Sequence, residues 1–277
     1  MKFNLDTAWR EATRLVSDNA GLLSAIAGIF VFLPYATLLL VLPSIAPLPQ
    51  LPEGADFDVA LKAIEAFYAQ TWWAFVAAGI VVTIGLISMI ALVGRQDRPT
   101  VGQAIAIGLK SIVPAWLTLF VQNMAINIAV AAIVAIASAT GLAALIFVAT
   151  LSAIALALYL GTRLSLVTPI IAVDGELNPF RVIAASWALT RGHGSRLVLF
   201  YVLLALAAIV VISVVMLVIG VGLALGGPAF EEAGGALVSA AMMAGVVILI
   251  TAVMAAVHRQ LHRLAQARAG VARSSDS

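Results

Sequence analysis

The chain contains no cysteine among its 277 residues. Disulfides, thiolate metal sites and a cysteine nucleophile are thereby excluded, and cysteine usage says nothing about the redox compartment. Charge is scarce as well: 10% of the residues are Asp, Glu, Lys or Arg, and 63% are hydrophobic. A soluble domain carries roughly 25% charged and about 45–50% apolar residues. So little charge cannot cover a water-facing surface, and the mean hydropathy of +1.13 agrees. The composition is that of a polytopic membrane protein. Carboxylates are missing from the interior of the long apolar runs, where ion-coupled transporters usually place them. Histidine is nearly missing, with three copies. The P-loop and the G-x-G-x-x-G fingerprint are absent, and "GHGSR" does not fit the G-x-S-x-G nucleophile elbow.

What the chain does have is apolar length. A helix needs about 20 apolar residues to cross the hydrocarbon core. Six runs qualify: 20–42, 73–93, 112–137, 142–171, 197–225 and 236–257. Lipid cannot satisfy free backbone groups, so these are helices or closed-barrel strands, and continuous apolarity without alternation selects helices. The first run is as long as a true span and follows charged amphipathic sequence, so it is expected to be retained rather than cleaved. The fold class is therefore all-α: an integral membrane bundle of six transmembrane helices with interfacial helices on the cytoplasmic side.

Flanking charge orients the bundle. Fourteen of the fifteen Lys and Arg residues lie in the N-terminal segment, the loops 94–111 and 163–196, and the C-terminal segment. The opposite side has Lys62 against Glu53, Asp56, Asp58, Glu65, Glu231 and Glu232. The positive-inside rule places both termini in the cytoplasm. Tyr68, Trp72 and Trp73 suit an outer aromatic belt. Phe57, Leu61, Ile64 and Tyr68 at helical spacing predict a helix lying on the outer surface before the second span, either in the interface or as a packed cap.

Three basic-side segments share a design. In "LDTAWREATRLVSD", Leu5, Trp9, Ala12 and Val16 form an apolar stripe. In "TVGQAIAIGLK", Thr100 and Gln103 fit a capping box. In "NPFRVIAASWALTRGHGSR", Asn178 suits an N-cap, Pro179 the first helical turn and Gly192 the stop. Each segment leads into a span and is followed by two. The chain reads as three units of interfacial helix plus hairpin, about 1–95, 96–172 and 173–264, within a membrane domain 1–264, with a disordered cytoplasmic tail 265–277. The third helix, with Phe180, Ile183 and Trp187 on one face and Val182 and Leu189 elsewhere, is expected to dock between headgroups and bundle.

The candidate site residues are few. Arg163, Arg181, Arg191 and Arg196, with Trp187 as an interfacial anchor, are candidates for holding lipid headgroups; charge that merely orients the hairpin is the competing explanation. Arg163 lies 21 residues beyond Leu142, about 32 Å along a helix, so snorkelling to the headgroups explains it. Gln122, Asn123 and Asn127 are the polar intramembrane residues. They either line a path or bond neighbouring helices. Ala149, Ala153, Ala157 and Gly161 recur at four-residue spacing and predict a close helix contact. His258 and His262 are one turn apart, but the intervening "RQL" lacks the Glu of H-E-x-x-H. They are expected to be solvated, and neither a metal site nor a cofactor is expected.

Two neighbouring stretches carry a resemblance. "YLGTRLSLVTPIIAVDG" closes the fourth span and "NPFRVIAASWALTRGHGSRL" follows. With Arg163, Pro169, Ser186, Trp187, Leu189, Thr190 and Arg191, they resemble the membrane domain associated with bacterial glycerophosphoryl diester phosphodiesterases and its stand-alone relatives. The six-span layout extends the likeness over nearly the whole chain. In that family hydrolysis belongs to a separate soluble barrel, which needs roughly 250 residues of its own, so the resemblance brings no catalytic residue. The expected function is non-catalytic: a lipid-associated or membrane-organising protein whose partners are membrane lipids, anionic phospholipid in particular. No nucleic-acid partner is expected, and no protein partner can be read. The alternative is a small permease or transporter component with a polar path along the third span.

Overall fold

The structure, a computed structural model, describes residues 3–47, 54 and 56–275; Glu53 of the acidic loop lies outside them. The elements are α1 (Leu5–Ala27), a π-helical turn (Gly28–Phe32), α2 (Leu33–Ile45), α3 (Phe57–Gly94), α4 (Val101–Ser138), α5 (Ala143–Arg163), the short α6 (Val167–Pro169), a second π-helical turn (Ile170–Asp174), α7 (Pro179–Thr190), α8 (Gly194–Ala224) and α9 (Pro228–Ser275). There is no strand among the described residues. Six helical stretches are long and apolar enough to cross a membrane, so the chain is an all-α, multi-pass membrane protein.

The terminators read from the sequence act where they were expected. Asn178 Oδ1 accepts from the Phe180 and Arg181 amides, and Gly192 follows α7 at φ 79°. Thr100 and Gln103 exchange both bonds of the capping box. What differs is continuity. The outer surface helix and the second span are one element, α3, because nothing between Phe57 and Ala78 breaks a helix. The segment from Thr100 likewise runs into the third span as α4, with Pro114 inside it. The third interfacial segment stays separate as α7, and the first is marked off by a break: Asn19 leaves helical geometry at φ −127°, ψ 17°, and its side-chain amide donates to the Leu15 carbonyl. A polar side chain competing with the ladder explains the break. At the other terminus α9 runs on to Ser275, where the sequence reading expected a disordered tail from 265.

The packed core sits at the arginine-rich end. Ala8, Ala12 and Leu15 of α1, Ile87 to Val93 of α3, the 166–172 stretch and Ala252 to Val257 of α9 form one buried cluster. Alanines at the α1–α9 contact let the two backbones approach, which is how helices associate where lipid supplies no hydrophobic drive. The buried stripe of α1 is thus Ala8–Ala12–Leu15, and the expected stripe through Trp9 is corrected: Trp9 points outward. Gly108 shows how tight the α3–α4 crossing is. A Cβ there would lie 2.6 Å from the Ile84 carbonyl oxygen and 2.5 Å from Ser88 Oγ. Away from this end α4, α5 and α8 turn large apolar side chains outward, and α8 buries only Gly194, Leu197 and Phe200 among the described residues. Such surfaces are stable against acyl chains. Of the small-residue stripe, Ala149 and Ala153 are buried, whereas Ala157 and Gly161 border a cleft shared with Tyr201.

Candidate headgroup site and a titratable cluster

Arg163 ends α5 and is 5% exposed. Its guanidinium donates from Nη2 to the Trp187 carbonyl at 3.0 Å and from Nη1 to the Thr190 carbonyl at 3.3 Å. Those carbonyls belong to the last turn of α7, which lacks intrahelical partners and carries the negative end of the helix dipole. The plane of the guanidinium also lies 4.1 Å from the Trp187 ring centroid. In return Ser186 Oγ donates to the Arg163 carbonyl at 3.0 Å, and Thr190 Oγ1 stands within donating distance of the same oxygen at 3.1 Å and of the Ser186 carbonyl at 2.8 Å. Arg163 is therefore a clamp between α5 and α7, and its expected snorkelling to the headgroups is corrected. The buried stripe of α7 is Val182–Ser186–Thr190. Two of its three members are hydroxyl residues, so hydrophobic periodicity could not reveal it. α7 is docked on the bundle as expected, with its Phe180 and Trp187 face outward at 72% and 41% exposure.

That outward face borders a cleft of about 740 Å³ between α4, α5 and α7. Ala125 and Ile126 come from α4, Leu160 lies on α5 with Leu164 just beyond it, and Phe180, Ile183, Ala184, Trp187 and Ala188 come from α7. One charge borders it: Arg191, exposed, at the turn that ends α7. The other expected headgroup residues are elsewhere. Arg181 is exposed and lies 3.9 Å from Glu176. Arg196 is held by the chain terminus, donating to the Phe3 carbonyl at 3.1 Å. The five residues do not converge on one point; Trp187 and Arg191 share a cleft, and Arg163 supports it from behind.

Gln122, Asn123 and Asn127 are not gathered either. Asn123 and Asn127 are exposed, and their amides donate to the Leu119 and Asn123 carbonyls of their own helix, at 2.8 Å each. They make no interhelical bond among the contacts described, and Gln122 Oε1 is buried without a partner.

A second cavity, about 930 Å³, opens among α1, the end of α3 and α9. Six arginines line it: Arg10, Arg14, Arg95, Arg98, Arg259 and Arg263. Asp6, Asp18 and Glu11 counter them, with Glu11 shared by Arg259 at 3.5 Å and Arg263 at 3.4 Å. Arg259 also donates to the Val93 carbonyl, capping α3. Arg95, through its hydrogen bond, holds the exposed Asp97 carboxyl below its ordinary range. This basin joins residues about 250 positions apart, which no reading of local spacing assembles.

Nearby, Asp174 at the end of the second π-helical turn meets α9. Its Oδ2 lies 3.1 Å from His258 Nε2 and 3.5 Å from His262 Nε2. His258 is 3% exposed, so the expectation that this histidine is solvated is corrected. The cause is tertiary: the turn that follows α6 folds back over α9. These three side chains are the described group whose donors lie close enough together to hold a metal ion.

Comparison with known proteins fits this architecture. No curated protein and no solved structure matches the chain. Residues 133–262, which take in the Arg163 clamp, the α5 and α7 walls of the Arg191 cleft and the Asp174–His258–His262 cluster, match the family described as the membrane domain of glycerophosphoryl diester phosphodiesterase, the same family that the two quoted stretches resemble.

Proposed function

We propose that the chain is a non-catalytic, lipid-associated protein of the bacterial inner membrane, with both termini cytoplasmic, and that it holds an anionic phospholipid in the α4–α5–α7 cleft. The observation that carries this reading is the chemistry of the lining. Apolar side chains from three helices line it together with one exposed arginine and the partly exposed ring of Trp187. That combination, an apolar lining with one cation, is the complement of an acyl chain joined to a phosphate. A basic residue near an anionic leaflet contributes about 1 kcal/mol, and a planar guanidinium adds two parallel hydrogen bonds to phosphate oxygens. The name of the matching family points to glycerophosphodiesters, the part of a phospholipid that an arginine of this kind would contact.

Native mass spectrometry of the detergent-purified protein tests it. Phosphatidylglycerol or cardiolipin is expected to co-purify with the wild type and to be depleted in Arg191→Ala. Arg191→Lys keeps the charge but loses the fork, so it is expected to retain less than wild type. Ala184→Trp fills the cleft and leaves every charge in place, and it too is expected to lose lipid. Lys110→Ala, remote from the cleft, is expected to retain it. Equal retention in wild type, Arg191→Ala and Ala184→Trp would reduce the segment to charge that orients a hairpin.

A further inference from the structure

We propose that Asp174, His258 and His262 form a binding site for a divalent transition-metal ion of the Zn²⁺ class, joining α9 to the turn that follows α6. Two elements more than 80 residues apart supply the donors. His258 and His262 stand one turn apart on α9, and both direct Nε2 at the same oxygen, Asp174 Oδ2, at 3.1 and 3.5 Å. In a tetrahedral site with bonds of about 2.0–2.1 Å, neighbouring donors are about 3.3 Å apart. The two observed separations bracket that value, and all three donor atoms lie within 4.8 Å of one another. Small side-chain rotations would bring them onto one ion.

A second observation points the same way. One carboxylate oxygen facing two imidazole nitrogens serves one of them well. His262 Nε2 is a buried atom whose one approach among the described residues, 3.5 Å to Asp174 Oδ2, falls short of hydrogen-bond geometry. A buried polar nitrogen left this way is destabilising, and a metal ion would satisfy it together with its neighbour. The surroundings suit such an ion. His258 is buried among apolar residues of the core, which fixes its ring, while the Asp174 side chain is about one third exposed and leaves a route for exchange. Gly175, at φ 72°, turns the chain immediately after the carboxylate. Two imidazoles and a carboxylate favour Zn²⁺, Co²⁺, Ni²⁺ or Cu²⁺ over Mg²⁺ and Ca²⁺, which take all-oxygen shells. Three protein ligands leave a fourth position for water or an anion.

The test uses the full chain in detergent, freed of any polyhistidine tag, with Zn²⁺ alone as the probe against a chromophoric chelator. The wild type is expected to bind one equivalent, and Zn²⁺ is expected to raise its Tm. Asp174→Asn and His262→Gln, both near-isosteric, are each expected to weaken binding at least ~10-fold and to abolish the Tm response. Co²⁺ is expected to give the visible absorption of a low-symmetry four-coordinate site in the wild type and to lose it in both variants. A wild type that binds no stoichiometric Zn²⁺ overturns the proposal. So does wild-type affinity in both variants, which would move the ion to another histidine such as His193.

Discussion

The guanidinium of Arg163 lies 4.1 Å from the Trp187 ring centroid and donates to the same residue's carbonyl at 3.0 Å. One side chain thus caps α7 and fixes the ring that borders the proposed lipid cleft. Hydrogen bonds from a charged donor contribute about 1.5–3 kcal/mol each. Arg163→Ala is expected to lower the Tm clearly and to alter Trp187 fluorescence. Arg163→Lys is expected to fall between, since an ammonium cannot span both carbonyls. Wild-type stability in Arg163→Ala would show that the clamp carries no load.

The Ser186 and Thr190 hydroxyls both reach the Arg163 carbonyl, and Thr190 can donate to the Ser186 carbonyl instead. Removing one hydroxyl leaves the carbonyl satisfied by the other. Removing both strands it, at a cost of about 1–3 kcal/mol. Ser186→Ala and Thr190→Val are therefore expected to be mild alone and more than additive together. A double-mutant cycle on thermal or denaturant stability reads the coupling; strict additivity would mean the two bonds are independent.

The small-residue stripe of α5 is divided by its surroundings. Ala153 is 2% exposed, whereas Ala157 and Gly161 border the cleft beside Tyr201, and Gly161 has nothing within 4 Å of an added Cβ. Ala153→Leu is expected to destabilise by about 1–3 kcal/mol through overpacking. Ala157→Leu is expected to be tolerated. Equal losses of detergent-solubilised Tm for the two would mean that the cleft is closed.

At the α3–α4 crossing the glycine is required by contact with backbone. Gly108→Ala sets a methyl 2.6 Å from the Ile84 carbonyl oxygen, so the helices must separate. Gly102→Ala, in the first turn of the same helix with nothing within 4 Å, is the control. The first variant is expected to lose stability and the second to keep it, by thermal unfolding in detergent.

The proposed orientation is open to labelling because the chain has no native cysteine. Asp58→Cys is expected to react with a membrane-impermeant maleimide in intact cells, and Gln103→Cys only after the inner face is opened. The reverse pattern would invert the topology.

Apolar length decided the class of this protein, and the sequence alone was enough to find six helices, because each run can satisfy its backbone only within itself. The helix stops were legible for the same local reason: Asn178, the Thr100–Gln103 pair and Gly192 act on backbone groups within a few residues. Even the likeness to the membrane domain rested on contiguous sequence. Continuity was harder to read. Composition changes at Trp72 and at Lys110, but no residue there breaks a helix, so surface segments and spans fused into α3 and α4.

What tertiary structure alone decided is the use of the charges. A lone arginine at the end of an apolar run looks the same in sequence whether it reaches outward to a phosphate or back to a carbonyl. Docking of α7 turned Arg163 inward and left Arg191 at the cleft. Asp174 and His258 are 84 positions apart, and their meeting depends on where the turn after α6 packs on α9. Pairing at such separation is fixed by the geometry of the whole bundle and leaves no local pattern in the chain.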